Sequence, residues 1–167
     1  RLWCTWDQDN LYLGVTYQDF GSADSLSVFV DLDRGVGPNS AAGLTAMAGD
    51  YRMPDDGRVE LVLGRAAIEA FPGAAPSAVL VTDAEGTTED ISELVVAQAF
   101  NTGTKASLRF PFWLNAEFSL PWSALYPDLD GGVPSLAAIR AVAVVAGPAA
   151  GDPSLLRIDA VPSHAGL

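Results

Sequence analysis

Hydrophobic side chains recur at every second position early in the chain, and this period of two constrains the fold more than any other feature. Between Leu11 and Gln18, apolar or aromatic residues occupy the odd positions, and a polar, turn-forming cluster at Trp6–Asn10 precedes them. A second apolar run, Leu26–Val30, follows a loop rich in Gly, Ser and Asp and is closed by Asp31 and Asp33. Alternation bounded by Asn, Asp and Gly is typical of antiparallel strands joined by tight turns. The pattern therefore predicts an all-β fold.

Short segments of the same kind continue to the end of the chain. The predicted strands cover about residues 2–6, 11–18, 25–32, 49–53, 58–64, 79–83, 93–100, 105–110, 115–120, 137–146 and 155–160. The run Ala141–Ala146 is continuously apolar, as in a strand buried on both faces. Short helical turns are predicted at Arg65–Phe71 and Pro121–Tyr126, because a proline ends each of them. So many short strands favour an antiparallel β-sandwich of two sheets, of the jelly-roll or immunoglobulin-like type.

The amino-acid composition limits the kinds of molecule that the protein is expected to bind. The 167 residues are 49% hydrophobic and 18% charged, which is enough for one domain with its own core, spanning 1–167. The formal net charge is −12, which disfavours binding to nucleic acids and to anionic membrane surfaces. The sequence has no apolar run long enough to span a bilayer. The acidic composition suits solubility outside the cell and the low cysteine content does not exclude secretion, so a secreted or cell-surface protein is expected.

The first residues of the chain lie inside a predicted strand. Cys4 is the only cysteine, so no disulfide can form within the chain, and its place between Trp3 and Thr5 predicts a buried, unreactive thiol. Because the sequence begins at Arg1 in mid-strand, we expect the sandwich to lack an upstream first strand. The open sheet edge could then accept a strand from a partner chain.

Several motifs occur in a characteristic order across roughly residues 3–146. They are Trp6-Asp7-x-x-Asn10-Leu11-Tyr12-Leu13-x-Val15, then Asp19, Asp24-Ser25-Leu26-x-Val28-Phe29-Val30-Asp31, Asp50-Tyr51-Arg52 and Glu117-Phe118-Ser119-Leu120-Pro121-Trp122. In this order and spacing the chain resembles the family 9 carbohydrate-binding modules and their wider DOMON-like relatives. The resemblance implies a β-sandwich module of an exported multidomain protein that binds sugars or, in some branches, haem.

The resemblance also implies particular site residues. Asp19 and Arg52 match two ligand-contacting positions of the sugar binders, and Trp113 stands near the position of an aromatic residue that stacks on the sugar. The chain departs from the pattern at Ser27, where the sugar binders have a carboxylate, and at Pro54, where they have an amide. These departures support an alternative in which the sandwich is kept and sugar binding is lost.

Asp31 and Asp33 are candidate calcium ligands. Closely spaced carboxylates, followed here by Gly35 and Gly37, could place oxygens around a calcium ion, although the full twelve-residue loop pattern is absent. The simpler interpretation is that the two aspartates order the turn at the end of a strand.

Haem binding is a third possibility, because haem-binding DOMON domains ligate iron with Met and His or Lys. The chain offers Met47, Met53, Lys105 and His164. A core position is the ordinary explanation for Met53, and His164 lies in a Pro/Ser/Gly tail, so haem is not the expected cofactor.

Catalysis is not predicted. A single histidine removes most His-based acid–base schemes, and no Gly-rich phosphate loop is present. The resemblance, taken together with this lack of catalytic motifs, implies a non-catalytic module that binds a polysaccharide or glycan. The alternative is a structural or assembly module that contacts other domains or subunits of a surface protein, and an electron-transfer domain with b-type haem is the third hypothesis.

Overall fold

The computed structural model describes residues 1–18, 25–40, 44, 52–65, 77–102, 113–129, 132–135, 138–149 and 152–161. The strands are β1 (Leu2–Trp6), β2 (Asn10–Gln18), β3 (Ser25–Asp31), β4 (Leu61–Arg65), β5 (Ser77–Val81), β6 (Thr88–Asp90), β7 (Val96–Thr102), β8 (Trp113–Pro121), β9 (Arg140–Ala149) and β10 (Asp152–Val161). One short helix, α1, covers Trp122–Leu125, and a 3₁₀ turn covers Ser92–Leu94.

The strands form two antiparallel sheets. The four-stranded sheet has the order β1-β2-β8-β7, and the six-stranded sheet has the order β10-β9-β3-β4-β5-β6. Both sheets contribute to one hydrophobic core, which confirms the predicted all-β antiparallel sandwich. Among the described residues, no helix has the length and apolarity that crossing a membrane would require.

The inner faces of the two sheets share the main core. Leu11, Leu13 and Val15 of β2 are buried, as the period of two predicts, and the backbone register places them opposite Leu120, Phe118 and Ala116 of β8. The six-stranded sheet contributes the buried residues Leu26, Val28, Val30, Leu61, Leu63, Ala78, Leu80, Ala143 and Val145. Burial of these side chains on facing layers is what holds the sandwich together.

The six-stranded sheet also buries part of its outer face. A second cluster there contains Phe29, Met53, Val59, Val62, Val142 and Val144, with Leu44 packed against it. The segment that contains Met53 and Val59 therefore covers the middle of this sheet. Strands β3 and β9 are buried on both faces, and for β9 the continuous apolar run predicted this burial.

Some predicted boundaries were wrong. Strand β6 and the 3₁₀ turn were not predicted, because their polar residues lack a clear period. The helical turn at Pro121–Tyr126 is confirmed by α1, whereas Arg65 ends strand β4 instead of starting a helix. Of the predicted strand 49–53, residues 49–51 lie outside the described residues, and Arg52 forms an isolated bridge with Ser40. Residues 66–71 and 105–110 lie outside the described residues.

Candidate functional site

The three residues implied to bind sugar have different positions in the structure. Trp113 is the first residue of β8, and its main chain pairs with Gln18 in the four-stranded sheet. Arg52 is exposed and adjoins Met53, which packs on the outer face of the six-stranded sheet. Asp19 lies outside the described residues. The structure thus places Trp113 and Arg52 in different layers of the sandwich, and a site shared by the three residues stays a prediction.

The outer face of the four-stranded sheet carries an aromatic residue in an unusual position. Trp3 of β1 pairs with Gly14 of β2, and the indole ring lies over the Gly14 main chain. A Cβ atom built on Gly14 would lie 2.0 Å from Trp3 Cε2 and 2.2 Å from Cζ2. A glycine inside a strand often marks such a close approach, because any larger side chain would occupy the same space. Trp3 keeps 40% of its surface exposed, so part of the ring is accessible to a ligand.

The turn between β1 and β2 fixes a second aromatic residue beside the first. Asp7 Oδ1 accepts the main-chain N–H groups of Asp9 and Asn10, at 2.9 and 2.8 Å, and Asp7 Oδ2 accepts the Tyr12 hydroxyl at 2.7 Å. The hydrogen bond from Tyr12, together with the two main-chain bonds, lowers the pKa of Asp7. The same bond raises the pKa of Tyr12. Tyr12 is therefore held as a neutral phenol against a carboxylate.

These aromatic residues border a shallow depression of about 180 Å³ on the sheet. Its lining comprises Trp3, Thr5, Tyr12, Leu13, Glu117, Phe118 and Ser119. Register brings the polar members together, since Tyr12 pairs with both Thr5 and Ser119, and Gly14 pairs with both Trp3 and Glu117. The depression thus combines aromatic surface with one carboxylate and several hydroxyl groups. We call this surface the Trp3 face.

Sequence reasoning missed the Trp3 face. Of the tryptophans near this surface, Trp122 has a structural position: it is only 3% exposed and donates its indole N–H to the Asp7 carbonyl at 3.1 Å. Trp3 is partly exposed and Trp6 is 61% exposed. Cys4 is also exposed, so its predicted burial was wrong, because β1 lies at a sheet edge. The local indication of the Trp3 face was a glycine inside an otherwise regular strand.

Asp31 and Asp33, the candidate calcium ligands, bind main-chain and guanidinium donors. Asp31, 6% exposed, accepts the Asp33 N–H at 2.9 Å through Oδ1. Its Oδ2 accepts the Arg58 N–H at 3.2 Å and Nη1 of Arg140 at 3.1 Å. Asp33 has a positive φ of 59° and accepts the Ala138 N–H at 3.2 Å. These contacts are those of residues that order a turn, and calcium binding by the pair stays a prediction.

The side chain of Glu60 binds the main chain of the loop that follows β3. Its side chain is fully buried, with Oε2 accepting the N–H groups of Leu32 and Arg34 and Oε1 accepting that of Val36, each at 2.9 Å. The Tyr126 hydroxyl donates to the Leu32 carbonyl. Within the described ranges, no three His, Cys, Asp or Glu side chains are grouped in a way that could hold a metal ion.

Met53, the one candidate haem ligand among the described residues, is 3% exposed and packs in the second hydrophobic cluster. This is the core position that the sequence suggested as its ordinary role. Met47, Lys105 and His164 lie outside the described residues.

Comparisons with protein-family models, with curated proteins and with solved structures gave no match for this chain.

Proposed function

We propose that this protein is a non-catalytic carbohydrate-binding module and that the Trp3 face is its binding surface. The observation that carries the proposal is the exposed indole of Trp3 lying over Gly14, beside hydroxyl and carboxylate groups. A sugar ring has an apolar face formed by its C–H groups and a rim of hydroxyls. An aromatic plane suits the first, and fixed polar groups suit the second.

Each part of the Trp3 face has a role in this proposal. The Trp3 ring stacks on the apolar face of the sugar, and its contact with Gly14 holds it in place before binding. Such pre-organisation lowers the entropic cost of binding. Glu117, which is exposed, accepts hydrogen bonds from sugar hydroxyls, and the hydroxyl of Thr5, which is also exposed, both donates and accepts.

The charge of the surface favours certain sugars. Glu117 belongs to a chain with a formal net charge of −12. Uronic acids and sulfated sugars would therefore be repelled, whereas neutral sugars would not. We expect neutral polysaccharides of plant or bacterial origin to be the preferred ligands.

The test compares two tryptophans of one strand. Trp3 and Trp6 are both exposed residues of β1, but Trp6 does not line the depression. Calorimetry with neutral oligosaccharides chosen from a glycan array should show Trp3→Ala weakening binding by at least about tenfold, or about 1.4 kcal/mol. The control variant Trp6→Ala should keep the wild-type affinity for an oligosaccharide that is short enough to contact a single Trp3 ring. Lack of binding by the wild-type protein at millimolar glycan, or equal losses in both variants, would contradict the proposal.

A third variant separates this surface from the site implied by the family resemblance. Arg52→Ala removes a residue of the implied site that lies in the other layer of the sandwich. Under our proposal it leaves glycan affinity unchanged. If Arg52→Ala abolishes binding and Trp3→Ala does not, the family resemblance has identified the binding site. The Trp3 ring would then only pack on Gly14 and would not bind sugar.

The alternative function, a structural or assembly module, is supported by a different observation. Strand β1 ends the four-stranded sheet, and Cys4 and Trp6 are exposed on it. Exposed apolar side chains on a sheet edge favour contact with another protein surface. A protein that stays monomeric and binds no other domain of a surface protein would argue against this role.

A further inference from the structure

Among the described strands, four lie at sheet edges, and three of these carry features that prevent pairing with another strand. Strand β6 has only three residues, Thr88–Asp90, and two of them are acidic. Strand β7 contains a register shift between Ala97 and Ala99, and strand β10 contains one between Asp152 and Leu156, beside Pro153. Short length, charge, bulges and proline are the usual protections of a sheet edge.

Strand β1 has none of these protections. Its sequence, Leu-Trp-Cys-Thr-Trp, contains no charge and no proline, and it pairs with β2 without a register shift. In the described part of the chain it is therefore the one edge strand that is open to pairing.

The hydrogen bonds of the hairpin identify which main-chain groups face outwards. Arg1 and Thr16 bond each other through their main-chain groups, and the Asp7 N–H donates to the Asn10 carbonyl. Because hydrogen-bonded pairs alternate in antiparallel strands, the odd residues of β1 bond to β2. The N–H and C=O groups of Leu2, Cys4 and Trp6 therefore point to the open edge.

We propose that β1 is the contact surface between two copies of this chain, which pair antiparallel about a two-fold axis at Cys4. This register places Cys4 opposite Cys4 of the second copy, and Leu2 opposite its Trp6. Each of these pairs exchanges both main-chain hydrogen bonds, so every outward group of β1 is satisfied. The pattern is self-complementary, as a two-fold interface requires.

The side chains of β1 fit the same arrangement. Leu2, Cys4 and Trp6 alternate along the strand and so share one face, where the pairing places apolar groups opposite apolar groups. Trp6, 61% exposed in the single chain, would be covered by Leu2 of the second copy. A second copy would thus cover an indole that the described residues of its own chain leave largely exposed.

Charge complementarity at the ends of the strand also favours a second copy. The two-fold register places Arg1 next to Asp7 of the other chain, at both ends of the paired strands. The attraction of these pairs opposes the general repulsion between two chains of net charge −12. Added salt screens the long-range repulsion more than the close pairs, so we expect dimer formation to increase with ionic strength.

Sedimentation equilibrium and cross-linking together test the register. The wild-type protein should show a monomer–dimer equilibrium whose dimer fraction rises with concentration and as NaCl increases from about 0.05 M to about 0.5 M. A short bismaleimide should trap the dimer through Cys4 in buffer but not in urea. Cys4→Ser should abolish the cross-link and keep the equilibrium.

The decisive variant is Cys4→Pro, which removes the outward N–H of Cys4 and leaves the bonds to β2 intact. It should lower the dimer association constant at least about tenfold. If it does not fold, Trp6→Lys serves instead, with Leu94→Lys, at an exposed apolar position outside β1, as a control of equal charge. A monomer at all concentrations, or a dimer that persists in both Cys4→Pro and Trp6→Lys, would overturn the proposal. Glycan affinity of the monomeric variants is measured separately, so this test does not depend on the proposed function.

Discussion

The carboxylate of Glu60 accepts the main-chain N–H of Leu32 at 2.9 Å, across 28 positions of the sequence. With the N–H groups of Arg34 and Val36, this bond makes a buried side chain the acceptor for a loop that lacks regular hydrogen bonding. A buried carboxylate is stable only when it is hydrogen-bonded, and these three N–H groups supply the hydrogen bonds. The loop after β3 therefore depends on one residue just before β4.

The variant Glu60→Gln should destabilise the protein by at least about 2 kcal/mol, because the amide loses the charge and turns an N–H₂ group towards N–H donors. Urea unfolding measures the change. Glu89→Gln, an exposed position on β6, is the matched control and should change stability by less than about 0.5 kcal/mol. Equal effects of the two substitutions would show that the loop does not depend on Glu60.

The contact between Trp3 and Gly14 predicts a strongly non-additive pair of substitutions. Gly14→Ala places a Cβ 2.0 Å from the indole and should cost about 1–3 kcal/mol and shift tryptophan fluorescence. In a Trp3→Ala background the same change should be neutral or stabilising, because the space is then free and alanine suits a strand better than glycine. Additive effects in the double-mutant cycle would contradict the contact.

Tyr126 predicts how stability changes at high pH. Burial, with a further contribution from the Glu60 charge, raises the pKa of Tyr126 from 10.0 to about 12. The folded protein keeps this proton at pH values where the unfolded chain releases it. The stability linked to Tyr126 is therefore complete below about pH 10 and is lost as the pH rises towards 12.

Urea midpoints measured at about pH 9 and about pH 11 should fall more in the wild-type protein than in Tyr126→Phe, which has no phenol to titrate. In a spectroscopic titration of the four tyrosines, Tyr126→Phe should remove a phase near pH 12. A titration curve unchanged by the substitution would contradict this assignment.

Calcium provides a test of the loop after β3. Because Asp31 already accepts N–H donors and Arg140, binding of an ion would have to displace some of these contacts. If the two aspartates only order the turn, the melting temperature will be the same with calcium and with chelator. A clear rise with calcium, lost in Asp33→Ala, would instead support the metal site predicted from the sequence.

The sequence predicted the elements whose information is local. The alternation in β2, the continuous apolar run in β9 and the proline before α1 each reflect a pattern within a few residues. These patterns were sufficient to predict the sandwich. Strand β6 was not predicted because Thr88–Asp90 has no apolar member. It forms by pairing with β5, so it depends on the rest of the six-stranded sheet.

The site could not be predicted in the same way, because it depends on register between separate strands. Trp3 and Glu117 are far apart in sequence and meet only because β2 pairs with both β1 and β8. The exposure of Cys4 depends equally on sheet order, since the same apolar strand would be buried in the middle of a sheet. The role of Glu60 depends on loop N–H groups at least 24 positions away.

Strand β1 contributes Trp3 to the Trp3 face and also has an open edge that can pair with a second copy. This combination has a consequence for the size of the ligand. When two copies pair at Cys4, their Trp3 residues become diagonal neighbours on the same side of one continuous eight-stranded layer, with Cα atoms about 7–8 Å apart. A single sugar could then reach only one indole, whereas a long chain of repeated units could lie across both. Assembly at the edge would thus convert two weak contacts into a preference for polymers over their monosaccharides.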